Sequence, residues 1–110
     1  MRYFETIFLE GAREFIDSLD TSTKEKLQCD IDIAEQTIDV KRFKKLRDGI
    51  WEFRVRGGSK RIRILAFWDK TGDNARVVAT HGFIKKVSRV PENEIERTRN
   101  IRIKYYGSKK

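Results

Sequence analysis

The sequence is poor in the residues that build metal and disulfide sites. Its 110 residues include one cysteine, Cys29, and one histidine, His81. A single cysteine cannot form an internal disulfide, and one residue of each kind is too few for the usual zinc site made of protein ligands. We therefore expect no metal site and interpret Cys29 as a small residue on a helix.

Long apolar runs are also absent. No stretch approaches the roughly 20 apolar residues that a membrane-spanning helix needs, and the first residues lack the apolar core of a signal peptide. We therefore expect a soluble, cytoplasmic protein with no membrane partner. The length of 110 residues predicts one domain, residues 1–110, with a core of modest size.

Basic charge, by contrast, is abundant and concentrated in one segment. Residues 41–63 carry ten basic and two acidic residues, a local charge of +8, and +8 is also the net charge of the whole chain. The rest of the chain is therefore neutral on balance. Charge confined to about a fifth of a chain favours a surface built for a polyanion over a generally basic protein.

The N-terminal part predicts a short edge strand within residues 1–6 and then two helices. Apolar residues from Phe8 to Leu19 recur every three or four positions, as do those from Leu27 to Ile38. Residues 22–25 have the form of a capping box at the start of the second helix. Because the connection is short, we expect an antiparallel helical hairpin packed on a sheet.

The second half predicts strands and then a last helix. After a loop at residues 39–45, apolar and polar residues alternate in Trp51–Val55 and Ile62–Trp68, and a third strand is expected at residues 75–83. Pro91 suits the start of a helix that Gly107 can end, with a frayed tail at 108–110. The predicted fold is α+β: an N-terminal strand and helical hairpin on a three- to four-stranded antiparallel sheet, with a C-terminal helix.

The turn at residues 57–60 predicts which arginines face each other. If it closes Arg56 against Arg61, then Arg54 lies opposite Arg63, and alternation places all four on the face away from the apolar side chains. Like charges directly opposite each other destabilise a sheet, so two such pairs in one hairpin indicate a used surface. Guanidinium groups match phosphate oxygens, so we interpret this face as a phosphate-binding site.

Other candidate residues surround this hairpin. Glu52 shares the arginine face, either as a general base or as a neutralising partner. His81 suits proton transfer near neutral pH if the third strand turns it toward Arg63, and is otherwise a packed histidine. The basic residues flanking the hairpin and ending the third strand are expected to contact nucleic-acid backbone or substrate: Lys41, Lys44, Lys45, Arg47, Arg61, Lys85 and Lys86.

The order of elements, together with three short motifs, resembles the RelE/HigB/ParE superfamily of bacterial toxins. Residues 45–56, KLRDGIWEFRVR, look like the family's leucine, glycine, tryptophan–glutamate and arginine strand. Residues 63–65, RIL, look like its central strand. Residues 81–86, HGFIKK, with the later Pro91 and EIER at 94–97, look like the phage-derived HigB-like branch.

This resemblance implies an mRNA endonuclease that acts on the translating ribosome without metal or cofactor. The ribose 2′-hydroxyl would attack the adjacent phosphate, with Arg63 stabilising charge and Arg54 and Arg56 positioning the phosphate. His81, Lys85 or Lys86 would transfer protons. The resemblance also implies an antitoxin as partner, commonly a helix-turn-helix protein in this branch.

Two other classes of function remain open at this point. Some superfamily members are non-catalytic poisons of DNA gyrase, in which case the arginines would serve a protein or DNA interface. A basic module that binds RNA or the ribosome without cleaving RNA would show the same charge pattern.

Overall fold

The computed structural model describes residues 2–108, and Met1, Lys109 and Lys110 lie outside this range. The elements in chain order are β1 (Glu5–Phe8), α1 (Glu10–Asp17), α2 (Thr21–Gln36), β2 (Phe43–Lys45), β3 (Ile50–Gly57), β4 (Lys60–Asp69), β5 (Arg76–Lys85) and α3 (Glu92–Gly107). The predicted α+β class is confirmed. Of the predicted frayed tail, only Ser108 is described, and it caps α3.

The sheet has five strands in the order β1-β5-β4-β3-β2, and not the three or four that the sequence predicts. β1 pairs with β5 in parallel, and the other neighbours are antiparallel. The additional strand, β2, lies in the segment predicted as a loop. Three residues are too few to show the alternation of polar and apolar side chains that predicts a strand. This strand is stabilised by pairing with β3 and by packing of Phe43 between aromatic rings.

The sheet separates two apolar clusters. On one face, α1 and α2 pack over β3, β4 and β5 and enclose the larger cluster, which includes Leu27, Ile31 and Phe53. On the other face, α3 covers only part of the sheet through Ile50, Leu65 and Ile95. The remainder of this second face lies beside the β3–β4 turn, and it carries the arginines.

Two local details differ from the sequence expectation. α2 begins at Thr21, and its N-cap is Asp20, whose Oδ2 accepts a hydrogen bond from the Thr23 amide at 3.2 Å, so the predicted capping box at 22–25 is wrong. Aspartate is as good an N-cap as serine, which moves the start of the helix. β5 also extends to Lys85, two residues beyond the predicted end.

Gly82 allows the first helix to approach the sheet closely. A Cβ atom built at this position would overlap the ring of Phe15 on α1. Phe15 packs against the larger apolar cluster, so a glycine in β5 is needed for this contact.

Candidate anion-binding cleft

The predicted pairing of the arginine hairpin is confirmed. Arg54 lies opposite Arg63 and Arg56 opposite Arg61, with a turn at residues 58–59 in which Gly58 has φ +60°. Five cations and one apolar side chain line a cavity of about 350 Å³, which we call the arginine cavity: Lys41, Arg54, Val55, Arg56, Arg61 and Arg63. No carboxylate of residues 2–108 lines it, so it is suited to an anion.

Arg63, which lines the arginine cavity, forms an ion pair with Glu52, which does not. Arg63 Nε lies 3.2 Å from Glu52 Oε1, and only 6% and 5% of the two side chains are exposed. Arg54 Nε lies 3.9 Å from Glu52 Oε2, so one carboxylate serves two guanidinium groups. Burial lowers the pKa of Arg63. The negative charge of Glu52 opposes this shift, and the positive charges of the neighbouring arginines lower the pKa further. The guanidinium nevertheless stays charged at any pH of interest.

Several polar atoms of this cluster lack hydrogen bonds. Among the described residues, Glu52 Oε1, Arg54 Nε and Arg63 Nε are buried and make no hydrogen bond. Arg63 Nε is near enough to Glu52 Oε1, at 3.2 Å, but is not aligned with it, and Arg54 Nε is too far from Oε2, at 3.9 Å. Buried polar groups are normally satisfied, and a cluster of exceptions marks a functional site or strain. Two donors and one acceptor are thus grouped at one point of the cleft.

A second cavity of about 290 Å³ adjoins the first through the Glu52–Arg63 pair. We call it the loop cavity, because it lies between the sheet and the β5–α3 loop. It is lined by Lys44, Leu46, Arg47, Glu52, Lys85, Ser88, Arg89, Val90, Glu92 and Ile95. Burial lowers the pKa of Lys85, and the charge of Arg63 lowers it further, against the opposing effect of Glu52. A lysine with a lowered pKa is a better proton-transfer group near neutral pH.

The structure brings His81 close to the cleft but not to its surface. A bulge at Thr80 places His81 opposite Leu65, on the same face as Arg63. The imidazole is almost fully buried, with Nε2 at 2.9 Å from Glu94 Oε1 and Nδ1 at 3.1 Å from Thr80 Oγ1. Its role in proton transfer stays a prediction. Burial of the ring and the contacts of both its nitrogens with Thr80 and Glu94 do not favour that role.

Burial lowers the pKa of His81, and the bond to Glu94 only partly offsets this. The ring is therefore neutral at pH 7. It lies between the sheet and the first turns of α3, where it holds the helix against β5. This is the packed-histidine alternative that the sequence left open.

The predicted RNA-contacting residues divide between the two faces of the sheet. Lys41 and Arg61 line the arginine cavity, and Lys44 lines the loop cavity. Arg47 also lines the loop cavity, but it is paired with Glu92. Lys45 lies opposite Trp51 and therefore on the other face of the sheet.

Lys86 is exposed just beyond the end of β5 and lines neither of the two cavities. Sequence reasoning missed the contribution of the β5–α3 loop, which adds Ser88 and Arg89 to the site. The only available signal was the basic character of residues 85–89.

Two kinds of feature are absent from residues 2–108. No group of three or more His, Cys, Asp or Glu side chains is arranged to hold a metal ion. No helix in this part of the chain is long and apolar enough to cross a membrane.

The fold and the cleft define the molecule as a small α+β protein with a cationic, anion-binding site on an open sheet face. The chain belongs to the family described as Phage derived protein Gp49-like (DUF891), whose sequence model matches residues 14–102. This family is a RelE/ParE-like toxin family of toxin–antitoxin systems, so the superfamily resemblance is confirmed. Membership suggests an antitoxin as partner. No curated protein matches the chain.

Proposed function

We propose that this protein is a toxin of the HigB-like branch that cleaves mRNA on the translating ribosome, in the cytoplasm, without metal or cofactor. The observation that carries the proposal is the arginine cavity joined to a buried Glu52–Arg63 pair whose facing atoms lack hydrogen bonds. A phosphodiester beside a ribose hydroxyl supplies acceptors and a donor for those atoms.

The scissile phosphate would lie in the arginine cavity. Arg63, Arg54 and Arg56 provide donors for the charge that develops on the phosphorane oxygens, and fixed charges in a partly buried site are effective there. Removing one such donor costs about 10²- to 10³-fold in rate. Arg61, Lys41, Lys44 and Lys86 would contact the flanking phosphates.

The two proton transfers are assigned to groups on either side of the ion pair. Glu52 lines the loop cavity, and its Oε1, which makes no hydrogen bond, would accept the proton of the 2′-hydroxyl. Lys85, which lines the loop cavity with Glu52, would donate a proton to the leaving 5′-oxygen. The products are a 2′,3′-cyclic phosphate and a free 5′-hydroxyl. His81 supports α3 in this scheme and does not contact RNA.

The experiment is in-vitro translation of a defined mRNA with the purified protein, followed by mapping of the cut ends. We expect discrete cuts at the ribosomal A site with 2′,3′-cyclic phosphate or 3′-phosphate ends. Arg54→Ala should lower cleavage by about 100-fold. The matched control is Arg99→Ala, an exposed arginine of α3 that pairs with Glu96 at 3.1 Å and should cleave as the wild type does.

Two outcomes would assign the protein to another class. Intact mRNA together with inhibited DNA supercoiling would indicate a gyrase poison. Salt-sensitive RNA binding with no cleavage by the wild type would indicate a non-catalytic RNA- or ribosome-binding module.

A further inference from the structure

An apolar groove opens on the sheet face opposite the arginines. We call it the tryptophan groove, and it encloses about 380 Å³ between Tyr3, Phe4, Thr37, Ile38, Asp39, Val40, Phe43, Trp51 and Trp68. Three of its apolar side chains are strongly exposed: Ile38 to 85%, Val40 to 66% and Tyr3 to 52%. Contiguous exposed apolar side chains on a small domain indicate a binding surface.

The walls of this groove are rigid aromatic rings. Trp51 and Trp68 meet edge to face with 5.9 Å between ring centroids, and Phe43 stacks on Trp51 at 4.8 Å. Phe4 contacts both Phe43 and Trp68. Aromatic walls of this kind offer a large apolar contact area without losing side-chain freedom on binding.

A basic groove of about 500 Å³ shares the two tryptophans. Its other lining residues include Lys45, Lys70 and Arg102. None of these three cations forms an ion pair among the described residues: Lys70 lies 5.4 Å from the Trp68 ring centre, and Arg102 donates to the Asp48 carbonyl. The apolar tryptophan groove is therefore bordered by cations that have no carboxylate partner among the described residues.

We propose that the tryptophan groove and the basic groove together bind an acidic amphipathic segment of the antitoxin. This rests on the proposed function for the identity of the partner. Apolar side chains of the segment would fill the tryptophan groove, and carboxylates of the segment would face Lys45, Lys70 and Arg102. Charge complementarity of this kind gives specificity and speeds association.

An acidic peptide fits this surface better than RNA does. The side chains of Ile38 and Val40 have no donor for a phosphate, whereas apolar side chains gain from being buried against them. The arginine cavity, which the described residues line with five cations and no carboxylate, lies on the sheet face opposite the tryptophan groove. The two surfaces therefore select partners of different chemistry.

The test uses the intrinsic fluorescence of the full-length protein, because both of its tryptophans line the groove. The probe is a synthetic peptide of about 15 residues with leucines at helical spacing and glutamates elsewhere. The comparison peptide has the same composition in scrambled order. We expect a saturable blue shift with the patterned peptide and about tenfold weaker binding of the scrambled one.

Variants locate the binding site. Ile38→Asp combined with Val40→Asp should weaken binding of the patterned peptide by at least about tenfold, since it adds negative charge to an exposed apolar wall. Ile103→Asp is the matched control, because Ile103 is 68% exposed on α3 and lines neither groove, and it should bind as the wild type does.

Three results would overturn the proposal: equal binding of patterned and scrambled peptides, undiminished binding by the double variant, or a blue shift produced by oligouridylate that competes with the peptide. The last would assign this face to nucleic acid. The double variant should cleave mRNA at the wild-type rate, so loss of peptide binding is separate from loss of cleavage. A protein that binds the peptide but never cleaves mRNA would refute the proposed function alone.

Discussion

The Glu52–Arg63 pair should show strong thermodynamic coupling, and the structure predicts which partner is costlier to remove. We consider Glu52→Gln, which keeps the size of the side chain, Arg63→Met, which keeps an unbranched apolar stem, and the double variant; each single change removes one charge. Both side chains are nearly fully buried. Removing one partner of such a pair leaves an uncompensated buried charge and costs about 3–5 kcal/mol, against a total stability of about 5–15 kcal/mol.

The two single variants should not cost the same. After Arg63→Met, the carboxylate of Glu52 still has Arg54 Nε at 3.9 Å. After Glu52→Gln, Arg63 is left buried with Arg54, Arg56 and Arg61 as its charged neighbours, all of the same sign. We therefore expect Glu52→Gln near the upper end of the range and Arg63→Met near the lower end.

The double variant should cost less than the sum of the two single variants, by about 1–3 kcal/mol, because it leaves no lone buried charge. The assay is urea unfolding at pH 7, with free energies compared at constant m-value. Arg56→Met is the control: this side chain is exposed and should change the free energy of unfolding by no more than about 0.5 kcal/mol. Additive effects, or single variants within about 1 kcal/mol of the wild type, would refute a buried, coupled pair.

Three further predictions concern the lysine proposed as proton donor, a buried histidine and a glycine contact. If Lys85 is the proton donor, cleavage should fall as pH rises through its lowered pKa, and Lys85→Arg should shift or abolish this alkaline limb in a pH–rate profile. The pKa of His81 is lowered in the folded state, so the unfolded chain binds a proton at this residue more readily. The protein should therefore lose stability as pH falls below about 6.5. His81→Gln should reduce that loss, which unfolding curves at about pH 7.5 and about pH 5 measure. At Gly11 an added Cβ would lie 2.8 Å from the backbone oxygen of Thr80. Gly11→Ala should therefore lower the free energy of unfolding by about 1–3 kcal/mol, measured by thermal unfolding. Gly107→Ala is the control, because a Cβ there has open space around it and should not destabilise the protein. Equal effects of the two alanines would contradict the close packing of α1 on β5.

The hairpin could be predicted from sequence because its register depends on local information. A turn of fixed length and a strict alternation of polar and apolar residues leave one pairing that buries the apolar face. Arg54 therefore had to lie opposite Arg63, and the structure agrees. The burial of Arg63 could not be predicted, since it depends on its ion pair with Glu52 and on the pairing of β4 with β5.

The position of His81 could not be predicted for a related reason. Its orientation follows from a bulge at Thr80, whose hydroxyl contacts both the Leu65 carbonyl and Thr98 Oγ1. These partners lie 15 and 18 residues away. A one-residue bulge reverses the side-chain alternation beyond it, so no periodicity within β5 could reveal the outcome. β2 escaped prediction because three residues carry no periodic signal.

The repulsion between facing arginines is connected with the polyanion binding that we propose for this face. Glu52 offsets one of the two positive charges of the Arg54–Arg63 pair, whereas no carboxylate among residues 2–108 pairs with Arg56 or Arg61 at the turn end of the hairpin. The folded sheet therefore retains like-charge repulsion that it can relieve only by binding an anion. A ligand that binds the folded state alone also stabilises it. The residues that weaken the free protein are thus the ones that should hold a polyanion, and the uncompensated end is where its phosphates should gain most.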